Sequence, residues 1–318
     1  MNTHNQKHHF HFGPGFWPKA YSGLLLTSLT WATVGSHVRA MKGLNPFLIT
    51  LSRLVICQAI VLLIFSILIF FKKINGKKIL ELYELNNKES WILSLVLVTY
   101  YFLAVWAFQH ISLPIGALLV GAAPFWTLVF RLFGKESLTK AHFFAFIVTM
   151  LGLTGITLLK ENVPAGGFVT TNFGIFLALA SSLCTALSSQ LASFFHRAER
   201  KYSPMAVTLK VFLLGLPISI ILSLVITEEF RFKAELYQSY GVLFITLAII
   251  GTLIPTFLFS ASSKLVKSTV ATSFLQLIPV WTLFYSKIFF NEVPTIPQLI
   301  SMAVLFSGLV WTLKINSR

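Results

Sequence analysis

Aspartate is absent from this 318-residue chain, and ten glutamates supply all of its acidic side chains. Charged residues make up 11% of it, against roughly 25% in a soluble domain. So little charge cannot cover a water-facing surface. With 56% hydrophobic residues and a mean hydropathy of +0.79, the chain belongs in a bilayer, where the outer surface must itself be apolar. Cysteine is scarce too. Cys57 and Cys184 both lie inside apolar runs and read as buried thiols, so neither a disulfide framework nor a zinc set is available. Residues 1–18 are polar and His-rich, without an apolar core leading to a cleavage site, which argues against an ordinary cleaved signal peptide. There is no P-loop, which excludes direct ATP drive by this chain alone, and no His-Glu-x-x-His or nucleophile elbow. The chain is therefore read as no enzyme, with no cofactor and no metal. His4, His8, His9 and His11 are read as a solvated tail rather than a metal site.

A span needs about 20 apolar residues, and ten candidates are present: 20–40, 46–71, 90–110, 113–133, 140–159, 173–195, 204–226, 240–260, 268–290 and 295–313. The net charge of +15 raises nucleic acid as a partner. The basic residues, however, are scattered through short connections, which fits membrane topology and leaves nucleic acid out. With both termini in the cytoplasm, the inner segments hold sixteen lysines and arginines and the outer ones five, Arg39, Lys42, Lys160, Arg231 and Lys233. The positive-inside rule selects that orientation. The connection from Lys72 to Lys88 reads as a solvated cytoplasmic face beside anionic lipid.

Two of the spans are alike. Pro124, Trp126, Thr127 and Leu128 recur 155 positions later as Pro279, Trp281, Thr282 and Leu283, and each span then runs into a glutamate, Glu136 or Glu292. Gly23 with its following leucines resembles Gly174-Ile-Phe-Leu, Pro46 and Thr50 line up with Pro204 and Thr208, and Gly152 lines up with Gly308. The expected fold is an all-α membrane protein of ten transmembrane helices, arranged as two inverted five-helix repeats. A cytoplasmic tail (1–19) precedes the first repeat (20–160), a linker (161–171) interrupted by Pro164, Gly166 and Gly167 joins it to the second (172–314), and residues 315–318 form a second tail. Five spans per half is an odd number, so the second copy enters the membrane upside down. Transporters use this layout, with one midplane site facing either side in turn.

These residues resemble a known family. Gly116 to Pro124, on to Gly134-Lys-Glu136, is similar to the fourth-span signature of EamA-type carriers of the drug/metabolite transporter superfamily. Leu277-Ile-Pro279 through Asn291-Glu292 resembles its second-half counterpart, and Trp31 and Pro46 to Arg53 also fit the pattern. The resemblance covers essentially the whole chain after residue 20. It implies a ten-span bundle exporting or importing small organic metabolites, amino acids or related compounds, across a bacterial inner membrane, with export as the expected direction. Cationic drug-like or quaternary amine compounds are the alternative cargo, and a non-transport membrane-embedded enzyme is the alternative class. The partners are a small-molecule substrate and the lipid bilayer, with the chain a monomer or homodimer. Ala32 stands where the family commonly has glycine, and the proline-to-glutamate interval is one residue shorter in the first half.

The candidate substrate-binding residues are Trp31, Arg53, Tyr100, Trp126, Ser182, Thr252, Gln276, Trp281 and Tyr285, with Pro124 and Pro279 as helix breaks or hinges. Each proline frees a carbonyl, that of Val120 or of Leu275, which makes either a structural kink or a cavity wall. Trp31, Trp126 and Trp281 lie near the middles of their spans, away from the interfacial belt that explains Trp17, Trp91, Trp106 and Trp311. They are either packed core or an indole-lined cavity. Polar company at similar depth comes from Thr99, Tyr100 and Tyr101 in span three, from the span-six serines and from Thr252 and Gln276. The span-six residues also suit close helix packing. Arg53 and Lys210 sit about 10 Å into their spans at 1.5 Å per residue. They either snorkel and bond carbonyls or attract an anionic group on the substrate. No carboxylate lies at midplane, which leaves His37 and His110 as the candidates for any proton coupling and makes a facilitator or exchanger the simpler reading.

Overall fold

The computed structural model describes residues 17–73, 75–133, 139–158, 170–198, 203–226, 234–263, 265 and 274–316. Glu136, the His-rich residues before Trp17 and most of the 161–171 linker lie outside the described residues. The regular structure among the described residues is helical: α1 Trp17–Trp31, α2 Thr33–Ala40, α3 Pro46–Phe70, α4 Gly76–Tyr83, α5 Lys88–Phe108, α6 Leu113–Val120, α7 Ala123–Phe133, α8 Lys140–Leu158, α9 Asn172–Arg197, α10 Pro204–Ile226, α11 Ala234–Ala248, a π-helical turn Ile249–Leu253, α12 Ile254–Ser263, α13 Ile278–Phe290 and α14 Ile296–Asn316. In lipid every backbone group must find a partner within the protein, and helices meet that demand within one segment.

Six stretches are long and apolar enough to cross a membrane by length and composition: Pro46–Phe70, Lys88–Phe108, Leu113–Phe130, Asn172–Ala192, Met205–Leu222 and Gln238–Phe259. Shorter apolar helices stand at the fifth, ninth and tenth predicted spans, and the first span is divided at Ala32 into α1 and α2. Among the described residues helix stands at the place of each of the ten expected spans, interrupted in the first, fourth, eighth and ninth. Ala32 keeps right-handed helical angles (φ −61°, ψ −22°), so nothing at this position requires the glycine of the family pattern. Leu63, Phe70, Ile221, Phe284 and Phe289 lie on the outer surface, where acyl chains replace water.

Packing relates the halves. With the spans numbered in order, 2 packs on 7, 4 on 9, 5 on 10, 3 on 6 and 1 on 8. Exchanging the first five with the last five maps 2–7, 4–9 and 5–10 onto themselves and turns 3–6 into 8–1. A two-fold relation between two copies produces that pattern. The glycines matched in the sequence sit at equivalent crossings. A Cβ on Gly23 would strike Ser262 Oγ where span 1 meets span 8, and one on Gly174 would strike the His110 carbonyl where span 6 meets span 3. Likewise Gly152 lies against the backbone of Leu305, and Gly308 against that of Thr149, with a Cβ only 2.8 Å from the Thr149 nitrogen. Small residues let membrane helices approach to backbone contact. The repeats therefore preserve their crossings.

The Lys72–Lys88 connection contains a helix, α4, which corrects its reading as a plain solvated face. The Asn75 side chain caps it by accepting from Lys78 N at 2.8 Å. Ile79, Leu82 and Tyr83 turn inwards onto the core between α3 and α10, where Gln58 Nε2 donates to Tyr83 Oη at 2.9 Å. Lys77, Lys78 and Glu81 remain outside. Lys210, read as snorkelling or carbonyl-bound, does the second. Its ammonium donates to the Glu84 and Asn87 carbonyls (2.7 and 3.1 Å) and to Ser90 Oγ, and lies 4.6 Å from the centre of the Trp91 ring.

Candidate functional site

The fourth and ninth spans are broken at equivalent places. Helix α6 ends at Val120, Gly121 and Ala122 are non-helical, and α7 carries Pro124; in the ninth span Gln276 and Leu277 form the turn before α13 and Pro279. A proline cannot donate to the carbonyl four residues back, so the turn ahead of it is the place where the helix yields. Both prolines are buried within the protein.

From these breaks the two indoles cross between the halves. Trp126 Nε1 donates to the Leu179 carbonyl (3.0 Å) and to Ser182 Oγ (2.9 Å) on α9. Trp281 Nε1 reaches Ser28 Oγ on α1 at 3.3 Å, and Ser28 is the counterpart of Leu179 at the spacing that relates Gly23 to Gly174. Each half-buried tryptophan thus reaches from one repeat to the first helix of the other, towards protein rather than acyl chains. Tyr285 Oη lies 3.5 Å from the Leu29 carbonyl, and the Trp31 ring packs on Phe259 of α12 at 5.6 Å. Gln276, in the break itself, is 7% exposed, and its Oε1 has no hydrogen-bond partner among the described residues.

A third break lies in the eighth span. Pro255 cannot bond the Gly251 carbonyl, and the π-helical turn Ile249–Leu253 leaves that oxygen to Arg53 Nη2 at 3.2 Å. Arg53 Nε donates to Thr252 Oγ1, whose own hydroxyl donates to the Leu247 carbonyl at 3.1 Å. The guanidinium lies 4.5 Å from the centre of the Tyr101 ring, which in turn touches the Tyr100 ring at 5.4 Å. Arg53 is 2% exposed, so its charge is held by a hydroxyl, a carbonyl and an aromatic face.

By these contacts Arg53 joins Thr252, with Tyr100 reached through Tyr101; Trp281 and Tyr285 both reach α1, the helix that carries Trp31; Trp126 joins Ser182; and Gln276 belongs to none of these groups. Thr99 does not join them. It is exposed and donates to the Leu95 carbonyl of its own helix at 3.0 Å, so it is not polar company for the tryptophans. His37 is tied to the Thr33 carbonyl (2.8 Å) and Thr246 Oγ1 (3.0 Å).

Sequence reasoning missed one feature outright. Arg39, counted as a cation of an outer connection, ends α2 inside the protein and pairs with Glu292 at 3.0 Å, with side-chain exposures of 5% and 6%. Arg39 Nη2 also donates to the Ile111 carbonyl (2.6 Å), and Glu292 Oε2 accepts from Leu113 N (2.9 Å) at the start of α6. A carboxylate is well placed at a helix N-terminus. The available signal was the glutamate that closes the second broken span.

Comparison with known proteins agrees with this architecture. Residues 18–158 and 172–314 each match the EamA-like transporter family. The uncharacterized transporter YdfC of Bacillus subtilis (strain 168) is 28% identical over 300 residues, covering 90% of this chain and 88% of that protein. A solved crystal structure superposes with a TM-score of 0.59 at 17% identity, over 95% of this chain and 98% of that one, which bears on the fold alone. Two copies of one helical unit, broken at matching prolines and joined by crossing indoles, make this chain a member of the EamA-like transporter family and a multi-pass membrane transporter.

Proposed function

We propose that the chain exports small organic metabolites, amino acids or related compounds, by alternating access to a site between the two halves. The observation that carries this reading is Gln276. Its amide is buried in the break of the ninth span with Oε1 unpartnered among the described residues, and such a group costs about 1–3 kcal/mol unless something bonds it. An ammonium or amide N–H on the substrate supplies that donor, as a compound without N–H does not. Indole faces at Trp126 and Trp281 supply apolar walls and cation-accepting surfaces. Arg53, held by Thr252 and the Gly251 carbonyl, supplies the positive charge that attracts a substrate carboxylate. The two-fold relation supports alternating access, because rocking one repeat on the other would exchange the roles of the two ends.

The test is competition uptake in proteoliposomes. Amino acids are expected to compete, and quaternary amines, which have no N–H for Gln276, to compete poorly. Equal competition by quaternary amines would overturn the cargo assignment. Uptake by none of the amino acids, amines or nucleotide-like metabolites tried would overturn the transport site. Loading substrate inside or outside the vesicles, with the protein's orientation fixed by protease accessibility of its termini, reads the direction. Both termini on the cytoplasmic face is the orientation proposed here.

A further inference from the structure

We propose that Arg39 and Glu292 form a charged latch that closes one end of the transport path. This rests on the alternating-access reading but concerns a different part of the molecule from the substrate residues. The pair joins the first half to the second, since Arg39 ends α2 and Glu292 follows α13. Its remaining bonds go to Ile111 and Leu113 at the corner between the third and fourth spans. The end of α13 in the second half is thus tied through a single ion pair to α2 and to the corner between the third and fourth spans of the first, the surfaces that part when that end opens. The packing beside it is equally tight. A Cβ on Gly35, one turn before Arg39, would lie 3.1 Å from Leu113 Cδ2 and 3.2 Å from the Phe108 ring.

Two properties suit a latch better than a rivet. Breaking a buried charge pair is costly while both charges stay buried, but on opening both reach water together and each is solvated. The closed state is therefore held without making the open state prohibitive. The pair is also one-sided. At the spacing that relates Gly23 to Gly174, the counterpart of Arg39 is Gln190, which carries no charge. Among the described residues the opposite end is joined differently, through Lys210 on the main-chain carbonyls of Glu84 and Asn87. A fixed structural tie repeated by the two-fold would be expected at both ends; a latch specific to one end need not be.

The experiment is thiol accessibility in reconstituted vesicles without substrate. The reporter is Ser36→Cys, whose native hydroxyl oxygen is buried and without a partner among the described residues, in a chain with Cys57→Ala and Cys184→Ala. The probe is a membrane-impermeant maleimide applied to each face in turn. The neutral pair R39Q/E292Q is the informative variant, because it removes both charges and strands neither. Its labelling should accelerate about tenfold, from one face only, as a two-state equilibrium shifts on losing a charge-assisted contact. R39K, which keeps the attraction, should stay near the parent rate and checks that folding survives a change at this position. An unchanged rate in R39Q/E292Q, or an equal rise from both faces, would overturn the latch. Because no substrate enters the assay, a failed latch leaves the uptake result standing, and failed uptake leaves the labelling result standing.

Discussion

In the first half the broken helix turns on Gly121, which has no side chain; in the second it turns on Gln276, whose amide is buried. The same contrast recurs one turn later. Trp126 makes two short bonds across the interface, to Leu179 and Ser182, and Trp281 makes one long bond to Ser28. The glycines at matched helix crossings, by contrast, agree between the halves. What the repeats share builds the bundle, and what they do not share gives the interior a direction, with a bare break on one side and a polar one on the other. In the proposed site a substrate bound between them would meet two different walls.

The largest expected effect breaks the shared part. Gly308→Leu places a side chain against the Thr149 backbone, which cannot yield as a side chain tip can, and Gly152→Leu does the same against Leu305. Overpacking costs about 1–3 kcal/mol where neighbours can shift, so the upper end is expected, seen as loss of monodisperse protein after detergent extraction. Gly241→Leu, with nothing within 4 Å of its Cβ, is the control and should extract normally.

Next come the unshared positions. Gln276→Ala should lower uptake about tenfold or more, as expected for loss of a buried hydrogen bond to substrate, with Tm unchanged. Gly121→Ala should leave uptake within about threefold, a difference of under 1 kcal/mol. Similar losses in both variants would remove the distinction between the breaks. Thr252→Val strips a partner from the buried Arg53 guanidinium and should lower stability by about 1–3 kcal/mol, measured as a fall in Tm. The smallest effect sharpens the tryptophan comparison: Trp126→Phe should cost about 1 kcal/mol, and Trp281→Phe, which gives up only a 3.3 Å bond, less than that.

The repeat was legible because proline and glycine act locally. Pro124 and Pro279 each free a carbonyl one turn back, where the helix yields, and Gly152 and Gly308 mark crossings that only a hydrogen atom fits. The indoles were legible as mid-span residues, but not their partners across the interface. Arg39 and Glu292 were missed because each lies at a span end, where a charge ordinarily meets water; only the folded chain brings the two together. The helix α4 was passed over for its lysines, although Ile79, Leu82 and Tyr83 at i, i+3 and i+4 make an amphipathic face. The Arg53 anchor was half visible: Pro255 announces a freed Gly251 carbonyl by the same rule applied to Pro124 and Pro279, but the π-helical turn that presents it depends on the neighbouring spans.

The central claim is that the two halves enclose a substrate site walled by residues following the two prolines. Uptake by proteoliposomes containing Trp126→Ala or Trp281→Ala, each first shown to be monodisperse, tests it most directly. The account predicts that both lose transport, since each removes one wall of the same site. Normal uptake by both variants would contradict it.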